Sequence, residues 1–275
     1  MSLHMASTVE LNNGVKMPRF GLGTYRLSPG KETYDAVRTA LEVGYRLIDT
    51  ASYYANEKDV GRAIRDSGLD RDLIFVTTKL YNHDHGYSEA LKAFEASQRR
   101  IDVGTIDLYL IHWPVPVLRQ RSWKALEKLL KEGKCRCIGV SNYTVAHLKE
   151  LGTYAEFIPA VNQVELSPFL QQTELVDACR SMGVQVESYS PLARGKRFGH
   201  QGLQGIADSL GRSPAQVMLR WGLQKGFVII PKAASREHII ENAGIFDFAL
   251  SETEMKEMDG FESNLRVSWD PSGVP

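Results

Sequence analysis

Four polar side chains lie at or just beyond the ends of apolar segments that have the composition of β-strands. Asp49, Lys79 and His112 each end such a segment, and Tyr54 follows Asp49 by five residues. Together they provide an acid, an amine, an imidazole and a phenol but no strong nucleophile, so acyl transfer is disfavoured. The set instead suits reduction of a carbonyl group, in which a hydride reaches carbon while the phenol protonates oxygen.

The phenol needs assistance in this chemistry, because its usual pKa of about 10 makes it a poor acid at neutral pH. We expect the Lys79 ammonium to lower the pKa of Tyr54, and the Asp49 carboxylate to keep that lysine charged and oriented. A neutral His112 would orient the substrate carbonyl or assist the proton transfer. Each residue taken singly also has a structural explanation, as a cap, a loop aromatic, a solvent-facing lysine or a core histidine. Their coincidence at three strand ends favours the catalytic interpretation.

Eight short apolar segments alternate with segments of helical periodicity along the chain. The predicted strands are residues 20–23, 45–49, 73–79, 106–112, 136–141, 160–165, 184–190 and 227–232. Between them apolar residues recur at helical spacing, as at Trp123, Leu126 and Leu129. This alternation predicts an α/β fold, a (β/α)8 TIM barrel, whose reactive side chains lie at the carboxyl ends of the strands. The alternative is a doubly wound open sheet, but residues 21–26 lack the third glycine of a dinucleotide-binding turn.

Both ends of the chain carry additions to this barrel. Residues 9–17 alternate around an Asn-Gly turn, which predicts an N-terminal β-hairpin that plugs the lower end of the barrel. Ser251 begins a capping-box pattern that predicts an additional C-terminal helix. Because no linker or low-complexity tract lies between, we expect one domain over residues 1–275, with a C-terminal tail over 261–275.

The composition limits the class of partner. Lys and Arg number 33, as do Asp and Glu, so the net charge is zero, which argues against nucleic acid or an anionic membrane as the main partner. Three cysteines cannot form a disulfide framework and suit a reducing compartment. No apolar run approaches the roughly 20 residues of a membrane span. We therefore expect a cytoplasmic protein that acts on a small molecule, with no obligate protein partner evident.

The candidate residues lie within longer strings that resemble signatures of the aldo-keto reductase family. The matching strings are GYRLIDTASYYANE at 44–57, TTKL at 77–80, LYLIHWP at 108–114, GVSNY at 139–143, VNQ at 161–163, IPK at 230–232 and IIEN at 239–242. The resemblance runs from about residue 9 to residue 259. Short loops and a short tail make the chain similar to bacterial and protozoan members, of the diketogluconate reductase and prostaglandin F synthase types.

The resemblance implies an NADPH-dependent carbonyl reductase that converts aldehydes and reactive ketones to alcohols by hydride transfer. Tyr54 would be the proton donor, Lys79 and Asp49 the groups that tune it, and His112 the group that orients the substrate. The residues implied for binding NADP(H) are Gly23, Thr24, Asp49, Ser141, Asn142, Gln163, Tyr189, Ser190, Leu192, Lys232, Ala233, Arg236, His238, Glu241 and Asn242. The residues implied for the substrate are Tyr25, Tyr54, Tyr81, His112 and Trp113, and no metal is implied.

The expected site for the 2′-phosphate of the cofactor is where the sequence departs from the family. Ala233 and His238 stand where many members have a serine and an arginine, so a hydroxyl and a permanent positive charge are lost. Lys232 remains, Arg236 lies close by, and Ser235 can cap a helix whose N-terminus favours a phosphate. We therefore expect a preference for NADPH over NADH that is weaker, and more sensitive to pH, than in family members with that serine and arginine.

The loops and the tail bear on the choice of substrate. The connections at 114–122 and 191–201 are short, which predicts an open site with broad use of aldehydes and modest affinity. Trp269 in the tail either folds over the mouth of the barrel or stays mobile, and the sequence does not decide between them. The physiological substrate stays open among methylglyoxal, lipid aldehydes, sugars and prostaglandin endoperoxides.

Two rival functions also stay open at this point. His83 and His85, with His112 as a third ligand, would bind a metal ion in a hydrolase, although a solvated loop is the simpler interpretation. A nicotinamide-binding regulatory subunit would keep the fold without turnover. Retention of all four catalytic-type residues argues against that second rival.

Overall fold

The structure, a computed structural model, describes residues 3–275. Two short strands, β1 (Thr8–Glu10) and β2 (Lys16–Pro18), form an antiparallel hairpin. Eight parallel strands follow: β3 (Gly21–Gly23), β4 (Leu47–Asp49), β5 (Phe75–Leu80), β6 (Ile106–Ile111), β7 (Cys135–Ser141), β8 (Val161–Glu165), β9 (Gln185–Tyr189) and β10 (Val228–Ile229). The α-helices of the described residues are α1 (Lys31–Val43), α2 (Glu57–Arg65), α3 (Tyr87–Ile101), α4 (Arg119–Lys131), α5 (Val145–Gly152), α6 (Thr173–Ser181), α7 (Gln201–Leu210), α8 (Pro214–Gln224), α9 (Arg236–Ala243) and α10 (Glu252–Asp259).

The eight parallel strands form a nearly closed barrel. They pair in chain order from β3 to β10. The two ends of this sheet meet where the Ile229 amide donates to the carbonyl oxygen of Arg19 at 3.0 Å, and the Gly23 amide donates to that of Pro231 at 3.1 Å. The predicted (β/α)8 barrel is therefore confirmed. Each predicted strand segment overlaps one observed strand, and the differences lie only at the strand ends.

Apolar side chains close the lower end of the barrel. Leu11 and Met17 from the hairpin belong to one buried cluster with the inward-facing Leu47 and Phe75. The hairpin turns at Gly14, whose φ of 81° suits a residue without a Cβ. The predicted plug is therefore confirmed. Polar interior residues are left to the opposite end, where the strands finish.

Helix boundaries follow the capping signals of the sequence. The Ser213 hydroxyl accepts from the Gln216 amide at 3.3 Å, and Pro214 occupies the first position of α8. Ser251 and Glu254 form the predicted capping box at the start of α10. The additional C-terminal helix is therefore confirmed.

The C-terminal tail lies across the open end of the barrel. The carboxylate of Glu165, at the end of β8, accepts from the amides of Val267 at 2.6 Å and Ser268 at 3.0 Å. This connection brings the Trp269 ring to 5.9 Å from the Trp113 ring, measured between centroids. Of the two alternatives for Trp269, the structure therefore has the one in which it folds back over the mouth.

Two further observations concern the state of the cysteines and whether any helix could span a membrane. Cys135, Cys137 and Cys179 are all buried, and none is joined to another in a disulfide. No helix between residues 3 and 275 has the length and apolar character that crossing a bilayer requires.

Candidate active site

Three adjacent strands bring the candidate catalytic residues to one edge of the barrel. Asp49 is the last residue of β4, Lys79 lies near the end of β5, and His112 follows β6 directly. Tyr54 ends the single 3-10 turn Ser52–Tyr54 that follows β4. Because β4, β5 and β6 are neighbouring parallel strands, the four side chains meet at their common carboxyl end.

Lys79 is the centre of this group. Its completely buried ammonium donates to Asp49 Oδ1 at 2.6 Å, to the main-chain oxygen of Thr50 at 2.9 Å and to the Tyr54 hydroxyl at 3.2 Å. These bonds use every donor of an ammonium, so the lysine is held in one position. The Tyr54 hydroxyl in turn lies 3.5 Å from His112 Nε2. The structure therefore places all four predicted residues in one hydrogen-bonded group.

The Tyr54 phenol is a weaker acid here than an exposed tyrosine. Burial, followed by the Asp49 carboxylate, raises the pKa of Tyr54 well above its usual range. The expectation of a lowered pKa is therefore wrong in direction, because it left out burial and counted Asp49 only as a partner of Lys79, not as a negative charge that acts on the phenol itself. The phenol keeps its proton at neutral pH, and the ammonium is in place to stabilise a phenolate once that proton has left.

His112 is neutral at pH 7, as the sequence argument assumed. Burial, followed by the Lys79 ammonium, holds the pKa of His112 well below its usual range. Its Nδ1 is buried without a hydrogen-bond partner among residues 3–275, whereas Nε2 faces the Tyr54 hydroxyl. Orphaned N–H groups are rarer in protein interiors than orphaned acceptors, so we assign the imidazole proton to Nε2.

A cavity of about 660 Å³ opens above these residues, a volume typical of small-molecule and cofactor sites. The predicted site residues that line it are Gly23, Tyr25, Asp49, Tyr54, Tyr81, His112, Trp113, Ser141, Asn142, Gln163, Tyr189, Ser190, Leu192 and Lys232. The predicted residues outside its lining are Thr24, Ala233, Arg236, His238, Glu241 and Asn242. The Thr24 hydroxyl instead donates to the main-chain oxygen of Asp49 at 2.9 Å, so this threonine supports a catalytic residue.

Hydroxyl and amide groups form one wall of the cavity. The Tyr189 hydroxyl donates to Asn142 Oδ1 at 2.8 Å, and Asn142 Nδ2 donates to the main-chain oxygen of His112 at 3.0 Å. Gln163 Nε2 donates to Asp49 Oδ2 at 2.8 Å, which links this wall to the catalytic group. Nothing within residues 3–275 donates to Gln163 Oε1, so an acceptor is left for a ligand. Such a wall fits a carboxamide, the group that the resemblance implies there.

Several residues of the cavity were missed by sequence reasoning. Among them are Arg26, Tyr53, Asn82, Arg194, Phe198, Val267 and Ser268. Arg26, Tyr53 and Asn82 each adjoin a predicted site residue, so position beside a strand end would have identified them. The two tail residues reach the cavity only through their long-range contact with Glu165, for which the sequence carries no local signal.

A comparison with protein families agrees with this geometry. The sequence profile of the Aldo/keto reductase family matches residues 19–263 of the chain. The chain is an aldo-keto reductase. It is therefore an oxidoreductase, and the matched segment contains all four residues of the hydrogen-bonded group.

Relatives of this aldo-keto reductase are found in bacteria and protozoa. It is 48% identical over 271 residues to the glyoxal reductase of Bacillus subtilis (strain 168), with 98% of each chain covered. It is 46% identical over 266 residues to the 9,11-endoperoxide prostaglandin H2 reductase of Trypanosoma cruzi (strain CL Brener), covering 96% of this chain and 94% of that one. The predicted resemblance to bacterial and protozoan members is confirmed.

Solved structures of the family share the fold closely. An aldo-keto reductase from a Medee basin deep-sea metagenome library matches with a TM-score of 0.94 and 40% identity, over 98% of this chain and 100% of that one. A Bombyx mori aldo-keto reductase, solved in complex with NADP, matches with a TM-score of 0.90 and 32% identity, over 97% and 96%.

Only one of the expected phosphate-binding cations lies on the cavity of this aldo-keto reductase. Lys232 is exposed and belongs to the lining. Arg236 was expected beside it, but its Nη1 donates to Glu42 Oε2 of α1 at 3.0 Å. An acidic residue distant in sequence thus pairs with the guanidinium in this structure, and a contact between Arg236 and a phosphate stays a prediction. The Ser235 hydroxyl accepts from the His238 amide at 3.3 Å, so the predicted cap of α9 is confirmed.

The two loop histidines do not form a metal site. His85 is buried with its Nδ1 3.0 Å from the Ser122 hydroxyl oxygen, and burial lowers the pKa of His85 to about 4. The expectation of a solvated loop is therefore wrong for His85. His83 instead lies beside the Tyr81 ring at 5.1 Å between centroids. Within residues 3–275 no three His, Cys, Asp or Glu side chains are grouped as metal ligands, so the donor set required by the hydrolase hypothesis does not form.

Proposed function

We propose that this aldo-keto reductase is an NADPH-dependent carbonyl reductase that converts aldehydes and reactive ketones to alcohols. The observation that carries the proposal is the position of the Tyr54 hydroxyl, 3.2 Å from Lys79 Nζ and 3.5 Å from His112 Nε2 beside the cavity. Relatives named as reductases, among them the glyoxal reductase of Bacillus subtilis, support the same class of reaction.

The hydroxyl and amide wall would hold the nicotinamide end of NADP(H). Ser141, Asn142 and Gln163 offer polar groups to a carboxamide, and the Tyr189 ring would stack on the nicotinamide. When bound, the reduced nicotinamide supplies the hydride that reaches the carbonyl carbon. The NADP complex of the Bombyx mori aldo-keto reductase supports this choice of cofactor.

The four catalytic residues would complete the reaction by moving one proton. The neutral His112 donates from Nε2 to the substrate carbonyl oxygen and fixes its position. Tyr54 gives its hydroxyl proton to that oxygen as negative charge develops there. Lys79 stabilises the resulting phenolate, and Asp49 holds the lysine in place. Water returns a proton to the phenolate after the alcohol has left.

Aromatic side chains surround the place where the substrate would lie. The Tyr53 and Tyr81 rings are stacked, with centroids 4.6 Å apart and planes inclined by 15°. Trp113 and Trp269 form another part of the lining. Because the folded-back tail narrows the mouth, we expect tighter binding of aromatic aldehydes than of small ones. The open site expected from the short loops would instead give modest affinity for all aldehydes alike.

The preference for NADPH over NADH would be small. Lys232 offers a free cation beside the cavity, but the charge of Arg236 is offset by Glu42. Ala233 and His238 supply neither the hydroxyl nor the permanent charge of many family members. A small preference therefore follows from the residues present in this chain.

A turnover assay tests the proposal. The purified protein is mixed with NADPH and a panel of aldehydes that includes nitrobenzaldehyde and methylglyoxal, and the loss of NADPH absorbance is followed. The panel is repeated with NADH. We expect reduction of several aldehydes, faster with NADPH, whereas equal efficiency with NADH would contradict the preference. Binding of NADPH without turnover of any aldehyde would contradict the reductase and favour a regulatory subunit.

The setting of the enzyme is part of the same proposal. Three free and buried cysteines suit a reducing compartment, which supports a cytoplasmic location. The aldehyde or ketone and the nicotinamide cofactor would be its partners. A single domain over residues 1–275 agrees with the extent of the family match, which begins at 19 and ends at 263.

A further inference from the structure

Glu187 is a buried carboxyl group inside the barrel for which the four-residue mechanism has no use. It lies on β9 and is completely buried. Its Oε2 accepts from Gln163 Nε2 at 2.8 Å, and the same nitrogen donates to Asp49 Oδ2 at 2.8 Å. Its Oε1 is buried without a partner in the part of the chain that the structure describes. Glu187 is therefore joined to the catalytic carboxylate through one shared amide.

The charges around Glu187 are unbalanced. The ionisable groups that face it are Asp49 from β4, Tyr54 from the turn after β4, and Lys79 from β5, while β8 contributes the neutral Gln163. Among these groups a single cation, Lys79, lies near the two carboxyl groups of Asp49 and Glu187. Of these two carboxyl groups, it donates a hydrogen bond to Asp49. Burial, followed by the Asp49 carboxylate, raises the pKa of Glu187 to about 8. Glu187 therefore carries a proton at neutral pH and loses it in mildly alkaline solution.

The two carboxyl groups determine which atom Gln163 presents to the cavity. A primary amide has two N–H hydrogens and one carbonyl oxygen. Both hydrogens of Gln163 have an acceptor, Asp49 on one side and Glu187 on the other. The oxygen is the remaining group, and Gln163 lines the cavity. Without Glu187, one N–H would lose its partner and the amide would be held from one side only.

We infer that Glu187 is a positioning residue for the nicotinamide site, because with Asp49 it fixes the Gln163 amide so that Oε1 meets the carboxamide of the cofactor. The inference rests on the proposed function. Glu187 contacts neither cofactor nor substrate in this role. It acts through Gln163, and its charge state acts on Tyr54 through the interior of the barrel.

Two substitutions separate this role from simple filling of space. Glu187→Gln mimics the protonated carboxyl: it keeps an acceptor for Gln163 but cannot ionise. Glu187→Leu has a similar volume and keeps no acceptor. Kd for NADPH, measured by fluorescence without any aldehyde, should rise by about tenfold in Glu187→Leu, since a buried hydrogen bond is lost. It should stay within about threefold of the parent in Glu187→Gln.

The pH profile gives a second readout. In the parent, kcat should fall as pH rises through about 8, because an ionised Glu187 destabilises the Tyr54 phenolate. Glu187→Gln should lack this fall, since it holds no proton to lose. Glu57→Gln is the matched control: Glu57 is also buried, but it bonds to Thr78 at 2.6 Å and Arg100 at 2.6 Å and not to Gln163. Its substitution should lower Tm and leave the profile unchanged.

Failure of the inference and failure of the proposed function are distinguishable. A parental Kd for NADPH in a folded Glu187→Leu protein would overturn the inference, and so would equal losses in the Leu and Gln variants. If Glu187→Leu does not fold, an unchanged pH profile in Glu187→Gln overturns it instead. A parent that binds NADPH but reduces no aldehyde refutes the proposed function, and the contrast in Kd between the two variants still decides the role of Glu187.

Discussion

The Lys79 ammonium and the Asp49 carboxylate form an ion pair of 2.6 Å inside the barrel, with 0% and 3% of their side chains exposed. Such a pair is costly to break, because the charge that is left behind has no water to solvate it. The same ammonium bonds to the Tyr54 hydroxyl, so the pair also fixes the distance between lysine and phenol. Stability and proton transfer therefore depend on the same contact.

Asp49→Asn should lower the free energy of unfolding by about 3 kcal/mol, since Lys79 keeps a buried charge without its carboxylate. Urea unfolding at pH 7 measures this change. The exposed ion pair of Lys31 and Asp35 on α1 supplies the control, and Asp35→Asn should leave the unfolding midpoint unchanged. Equal effects of the two substitutions would show that the buried ion pair contributes no more to the free energy of unfolding than the exposed one.

Tyr54→Phe should reduce kcat for aldehyde reduction by about 10²- to 10⁴-fold, because the proton donor is removed and little else changes. NADPH binding, followed by fluorescence, should stay close to that of the parent. Tyr53→Phe is the matched control, since Tyr53 also lines the cavity but its hydroxyl bonds to neither Lys79 nor His112. A Tyr54→Phe protein that works at the parental rate would show that the proton comes from another group.

The fold and the catalytic group were predictable because both depend on local patterns. Asp49, Lys79 and His112 each end an apolar strand, and parallel strands of a barrel finish at one edge. The sign of the shift in the pKa of Tyr54 was not predictable, because it depends on the depth of burial. The hydrogen bond between Glu187 and Gln163 was equally unpredictable. A carboxylate within a buried strand nevertheless indicates that some polar partner lies inside the barrel.

Contacts between distant parts of the chain escaped prediction for a different reason. Glu42 and Arg236 are 194 positions apart, and Glu165 and Val267 are 102 apart. Neither pair leaves a periodicity or a spacing in the sequence. Both depend on how α1, α9 and the tail lie against the barrel, which only the three-dimensional arrangement determines.

Glu42→Gln should raise the preference for NADPH over NADH, expressed as the ratio of kcat/KM values, by about two- to fivefold at low salt. The substitution frees the Arg236 guanidinium, which is bonded to Glu42 at 3.0 Å, to meet a phosphate near Lys232. Glu95→Gln removes another exposed negative charge, from α3, and should leave the ratio unchanged. A ratio that responds equally to both changes would point to net charge and not to Arg236.

Trp269→Ala should raise KM for benzaldehyde by about threefold to tenfold with little change in kcat, because an aromatic wall of the mouth is lost. The centroid of its ring lies 5.9 Å from that of Trp113, in the lining of the cavity. Acetaldehyde is the control substrate, since it is too small to reach the tail, and its KM should hardly move. Equal increases in KM for both aldehydes would indicate that the whole tail has shifted.

His85→Asn should remove part of the loss of stability that acid causes. Burial lowers the pKa of His85 from 6.5 to about 4, so the unfolded chain takes up this proton more readily than the folded one. The stabilisation from neutral His85 is therefore fully present above about pH 6.5 and is lost as pH falls through about 4. The loss amounts to about 3 kcal/mol at most.

Asparagine keeps an acceptor near the Ser122 hydroxyl but has no proton to gain, so urea unfolding of the variant should depend less on pH between 6.5 and 4. Parent and variant curves that stay parallel over this interval would show that His85 does not resist protonation.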